Sequence, residues 1–158
     1  MSIAHSRLSR ERLFLARTLL KQARSAETPV IGEALVQGAT ELALRARELL
    51  LVTIARYYQH KTEVPGSLAE LADLIGSDAA EVIELNDEAR VASGWWTLLD
   101  ALDRFQSEPA KPKKSVSDDN IIAISASQGP DRSIATLESV VQQMEGALNR
   151  VVQRHDEW

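Results

Sequence analysis

A chain of 158 residues with 44% hydrophobic and 26% charged side chains suits one domain, residues 1–158, with a sizeable core. Only 4% of the residues are aromatic, so Leu, Ile, Val and Ala must fill that core, and the lack of cysteine excludes disulfides, thiolate catalysis and cysteine metal sites. The net charge of −5 is uneven: residues 1–24 carry Arg7, Arg10, Arg12, Arg17, Lys21 and Arg24 against Glu11, whereas residues 61–110 carry eleven acids against Lys61, Arg90 and Arg104.

Residues 3–26 read as a first helix. Ile3, Leu8, Leu15, Leu19, Ala23 and Ala26 give an apolar row, with Phe14, Ala16 and Leu20 beside it, and Arg7, Arg10, Arg17, Lys21 and Arg24 share another face. The apolar run Leu13–Ala16 is cut off at once by Arg17, which is not the pattern of a secretory signal. Uncharged stretches such as Val91–Leu99 are far shorter than the ~20 residues a membrane span needs. A cytoplasmic protein with no membrane association is expected.

The stretch Glu33–His60 is the longest periodic segment. Leu35, Ala39, Leu42, Ala46, Leu49 and Thr53 step at alternating four and three residues, and Leu50, Ile54 and Tyr57 widen the stripe. Thr28-Pro29 sets its start, and Pro65-Gly66 bars continuation. Ser67-Leu-Ala-Glu70 then has the capping-box pattern and opens a short helix that ends at Gly76. Ser77-Asp78 caps the next helix, read as one element over 78–106 with a possible bend at Ser93-Gly94; Val82, Leu85, Ala89, Ala92, Trp96, Leu99 and Leu102 form its seam. Glu108–Asn120 is rich in proline and charge and reads as a mobile linker, followed by the apolar patch Ile121, Ile122 and Ile124. After Gly129-Pro130, Asp131 or Ser133 caps a last helix whose seam is Ile134, Leu137, Val141, Met144, Leu148 and Val151. The fold expected is all-α, an antiparallel bundle of four long helices with one short helical insert and a flexible linker before the last helix.

Signals for chemistry are sparse. None of His5, His60 and His155 has Glu, Asp or His at a helical partner spacing that would build a metal site, and Glu81, Glu84 and Glu88 share a face that reads as solvated, so no metal is expected. The seven glycines form no phosphate loop, and Ser93-Gly94 lacks the Gly-x-Ser-x-Gly frame. No nucleophile–base pair is visible, so no catalytic residue, enzymatic activity or small-molecule cofactor is expected. Arg150-Val-Val-Gln-Arg-His155 has the arginine–histidine count of HEPN-class bundles, several of which cleave RNA, although there the pair lies near the start of the last helix. Trp96 belongs to the seam of its helix, whereas Trp95 continues a neighbouring row and is expected to turn one side to solvent or a partner.

Phe14-Leu-Ala-Arg17, Ile54-Ala-Arg-Tyr-Tyr58, Ser93-Gly-Trp-Trp96, Ile122-Ala-Ile124 and the terminal Glu157-Trp158 together resemble a small family of helical proteins from gamma-proteobacteria, best known in pseudomonads. The resemblance implies a bundle fold and a cytoplasmic setting and carries no activity. The function expected is a protein-interaction or regulatory bundle with a protein partner or self-association, through Arg7, Arg10, Arg17, Lys21, Arg24 and Trp95. Nucleic acid is the alternative partner, with HEPN-like cleavage as its enzymatic form. Three features weigh against it: the acidic net charge, no aromatic side chain interleaved with the arginines, and the acids of 61–110, which are available to pair with the first helix.

Overall fold

The computed structural model describes residues 3–109 and 129–157. The fold is all-α: among the described residues there are six helices and no strand. They are α1 (Ile3–Ala23), α2 (Pro29–Tyr57), α3 (Leu68–Ile75), α4 (Ala80–Arg90), α5 (Trp95–Ser107) and α6 (Ile134–Asp156). Past Pro109, the predicted linker and the Ile121, Ile122 and Ile124 patch lie outside the described residues.

Local chemistry accounts for most of the boundaries. Thr28 is the N-cap of α2, its hydroxyl accepting from the Ile31 N–H at 3.2 Å, with Pro29 at the first helical position. Ser67 accepts from the Glu70 N–H at 3.1 Å, while the Glu70 carboxylate reaches back to the Gly66 N–H, a capping box shifted outward by one residue. Asp131 and Ser133 both serve α6: Ser133 Oγ accepts from the Thr136 N–H, and Asp131 accepts from the Ser133 N–H and the Thr136 hydroxyl. At the far end of α2, His60 N–H bonds to Ala55 C=O and Gln59 N–H to Arg56 C=O, with Gln59 at φ 68°. This is a Schellman ending built without glycine. Arg56 seals it by donating to the carbonyls of His60 and Glu63 at 2.7 and 2.6 Å.

The segment expected as one helix over 78–106 is two. α4 stops at Arg90, and Gly94 is the N-cap of α5. Side chains satisfy the backbone groups that the break frees: Thr97 Oγ1 donates to the carbonyls of Ala89 and Val91, and Glu88 Oε1 accepts from the Trp95 N–H at 3.2 Å. The expected Ser77-Asp78 cap is also displaced, because Ala79 is the N-cap of α4 and supplies no side-chain bond. Three long helices therefore stand where four were expected, with α3, α4 and α5 shorter.

Small side chains set the packing of α1 on α2. Ser9 Oγ donates to the Ala46 carbonyl at 3.1 Å, and Leu19 Cδ1 lies 3.1 Å from where a Cβ on Gly38 would sit. With Ala16, Ala39 and Ala43 also buried, the two backbones approach closely. This rolls α1 away from its expected face. Leu13, Ala16 and Leu20 are buried, Leu8, Leu19 and Ala23 are only half-buried, and Leu15 and Phe14 are 38% and 64% exposed. On α2 the core side is likewise Val36, Ala43, Leu50 and Ile54, leaving Leu35, Leu42 and Leu49 at its edge.

Pairwise contacts give the directions. Ser9 lies against Ala46 and Leu19 against Gly38, so α1 and α2 run antiparallel. Arg10, Arg17 and Arg24 reach Asn149, Glu145 and Glu138, so α1 and α6 do too. Arg47 meets Asp100 while Glu41 meets Gln106, which makes α2 and α5 antiparallel. Leu20, Ala43, Leu99, Leu102, Leu137 and Val141, from α1, α2, α5 and α6, close around a residual space of only about 10 Å³. The α6 seam is buried from Leu137 to Val151, with Val140 and Ala147 added to it.

Candidate functional site

The predicted basic face divides in two. Arg10, Arg17 and Arg24, at seven-residue spacing, turn toward α6. Arg10 donates to Asn149 at 3.0 Å and Arg17 to Glu145 at 2.6 Å, and Arg24 clasps both oxygens of Glu138 at 3.0 and 2.8 Å. The hydrogen bonds from Arg24 hold the Glu138 carboxyl below its usual range, and Glu138 raises Arg24 in turn. These partners belong to α6 and not to the acidic stretch 61–110. Arg7 and Lys21 are exposed and have no ion-pair partner among the described residues. Phe14, seven residues from each, stands exposed between them, so an aromatic side chain does interleave the basic row.

Trp95 is not at the surface. It is 3% exposed, its ring edge-on to Trp96 at 5.4 Å between centroids, and its expected solvent-facing side is absent because the break at Gly94 turns the first residue of α5 inward. Trp96 is 7% exposed and carries the Arg47 guanidinium 4.7 Å above its ring. Arg47 also pairs with Asp100 at 2.6 Å and donates to the Trp96 carbonyl. Beside them a polar groove of about 360 Å³ runs between α2, α5 and the start of α3, edged by Glu41, Glu48, Asp100 and Asp103 against Arg45 and Arg47.

The densest polar cluster was not visible in the sequence. It lies where the end of α2, the first turn of α4 and the end of α6 meet. Glu81 is 1% exposed and carries a full set of donors: Tyr58 Oη at 2.7 Å to Oε2, His155 Nε2 at 2.8 Å to Oε1, and Arg154 Nη1 at 3.1 Å in an ion pair that lacks hydrogen-bond alignment. Arg154 also holds Glu84 through its second amino group. Tyr57 stacks on the His155 ring at 4.4 Å, and Tyr58 meets it edge-on at 5.4 Å.

Burial works to raise the Glu81 carboxyl, but the hydrogen bonds from Tyr58, its own N–H and His155, with the Arg154 guanidinium paired beside it, outweigh it and leave the group below its ordinary value. The Tyr58 phenol is pushed up to about 12, first by burial and then by its bond to Glu81. Chemically this is a fastener. A general base needs a free lone pair facing its substrate, and both Glu81 oxygens are taken by donors from the chain itself.

The other sequence candidates separate. Arg150 and His155 stand five residues apart, about 140° around a helix at 3.6 residues per turn; Arg150 is exposed while His155 is turned inward against Glu81. Glu81, Glu84 and Glu88, expected as one acidic face, go to His155, Arg154 and the Trp95 N–H respectively. Among the described residues no group of three or more His, Asp or Glu converges as a cation site, and no helix is long and apolar enough to cross a membrane. Comparison with family models, with curated proteins and with solved structures found no match.

Proposed function

We propose that the chain is a non-enzymatic helical bundle that acts through its surface, as a protein-interaction or regulatory module of the cytoplasm. Its frame is an antiparallel set of α1, α2, α5 and α6 with α3 and α4 inserted. The observation that carries this reading is the internal use of the polar side chains. Three of the five basic residues of the α1 row are spent on α6, and the buried carboxylate, histidine and arginine are spent on one another. Among the side chains left outward on the α1–α2 hairpin, Phe14, Leu15, Val30 and Ile31 are large, apolar and exposed. Exposed apolar side chains of this size suit a protein partner.

One observation favours the alternative, a nucleic-acid-binding bundle with HEPN-like cleavage as its extreme form. Arg7, Phe14 and Lys21 make an exposed cation–aromatic–cation row, the pattern used to hold single strands. Fluorescence anisotropy with single- and double-stranded RNA and DNA decides between the two. The interaction reading expects no binding tighter than ~10 µM at physiological salt. Tighter binding that is lost in Arg7→Glu/Lys21→Glu, with helicity unchanged by circular dichroism, overturns it.

A further inference from the structure

Along the outward groove of the α1–α2 hairpin, helical spacing and register set Leu8 and Leu15 of α1 beside Leu49 and Leu42 of α2, with Leu19 and then Ile31 nearer the turn. Leu15 and Ile31 are 38% and 46% exposed and the other four are half-buried. Leu35, Leu42 and Leu49 recur every seven residues, the repeat of a seam that expects another helix pair. The charges that border this groove are ordered. Arg7 and Glu11 lie on its α1 rim, and Arg45 and Glu48 lie on its α2 rim.

The register set by Ser9 against Ala46 and Leu19 against Gly38 places Arg7 near the level of Glu48 and Glu11 near the level of Arg45. At both levels the two rims carry opposite sign. Within one chain they stand on opposite sides of the apolar groove and do not meet: Glu11 bonds to Arg12, and Arg45 bonds to Glu48.

We propose that a second copy of this chain occupies the groove, packing hairpin on hairpin about a two-fold axis parallel to the helices. That operation lays α1 of each copy antiparallel on α2 of the other. It buries the leucine rows against each other and brings Arg7 to the partner copy's Glu48 and Glu11 to the partner copy's Arg45, each contact made twice. A two-fold axis perpendicular to the helices would lay α1 on α1 and lose this match. Flanking charges of this kind choose partner and orientation in helix pairs, while the apolar seam supplies the affinity. The inference rests on the interaction reading above and names the chain itself as the partner.

Sedimentation equilibrium of the full chain at about 50 µM tests it, with a species of twice 17.4 kDa expected. Leu15→Glu, at a site already exposed, should weaken the dimer by about tenfold or more with helicity retained. Arg7→Glu and Glu48→Arg should each weaken it, and the double variant Arg7→Glu/Glu48→Arg should recover the wild-type constant, a rescue that a merely structural effect would not produce. A monomer at ~100 µM, or a dimer indifferent to both Leu15→Glu and Arg7→Glu, overturns the proposal. Tight nucleic-acid binding overturns the interaction reading instead and leaves the measured mass where it was, so the two failures are distinguishable.

Discussion

Glu81 is the residue on which three helices converge. A carboxylate this far from water is costly unless it is hydrogen-bonded and paired: Tyr58 and His155 each donate to one of its oxygens, and Arg154 supplies the opposite charge. Replacing it with Gln removes the charge that Arg154 and His155 answer and should cost about 2–4 kcal/mol in urea unfolding at neutral pH; a loss below about 1 kcal/mol would show that the cluster holds nothing together. The pH dependence has a definite sign. The folded Glu81 carboxyl titrates below its ordinary 4.5, so the unfolded chain takes up the proton first as pH falls. Its stabilisation is complete above that ordinary value and is lost as pH drops through the lowered one, and Glu81→Gln should flatten this acid limb. At the alkaline end, the phenolate absorbance that disappears in Tyr58→Phe should develop only near pH 12. Development of that signal near pH 10, the ordinary tyrosine value, would mean that Tyr58 is not held against Glu81.

The joint between α4 and α5 shows where helix-level reading succeeds and where it stops. A Cβ on Gly94 would lie 2.6 Å from Glu88 Oε1 and 3.1 Å from both the Glu88 carbonyl and the Val91 Cβ. The carboxylate can move aside but the backbone cannot, so Gly94→Ala should cost about 1–3 kcal/mol by overpacking, read as a lowered urea midpoint. An unchanged midpoint would mean that the joint tolerates a continuous helix. The apolar spacing from Val82 to Leu102 passes through this joint without a skip, so periodicity alone reads one helix. The break depends on Glu88 capping a donor seven residues away and on Thr97 binding two carbonyls behind it, neither of which has a period. The caps at Thr28, Ser67 and Ser133 were legible because each is settled within three residues. The roll of α1 was not, because Ser6 and Ser9 read as polar yet are buried, and at Ser9 a small side chain lets α1 approach the Ala46 carbonyl of α2. For the candidate sites, the row Arg10, Arg17 and Arg24 is plain in the sequence, but its partners on α6 are not. The Glu81 cluster joins residues 23 and 74 positions apart, a separation that no local pattern carries.

At the scale of the whole molecule, two kinds of interaction fasten α6 to the rest of the chain, and they differ in strength. The polar kind is the row of Arg10, Arg17 and Arg24, whose side chains stay partly in water; the Arg24 and Glu138 side chains retain 54% and 36% exposure. Exposed pairs are worth about 0–1 kcal/mol each, and salt screens them. The apolar kind is the seam Leu137, Val141, Met144, Leu148 and Val151, buried along the whole helix. Removing buried side-chain volume costs the lost transfer free energy and the cavity left behind, about 2–5 kcal/mol for one leucine. The row therefore sets register and orientation while the seam supplies the binding. The double variant Arg17→Ala/Arg24→Ala should lower the urea midpoint only slightly, and ~1 M salt should bring the wild type close to it. Leu148→Ala alone should lose more than that pair, with little dependence on salt. Urea unfolding of the three proteins at low and high ionic strength makes the comparison. The ranking fails if the arginine pair proves the costlier loss, because that would place the attachment of α6 in the ion pairs and not in the core.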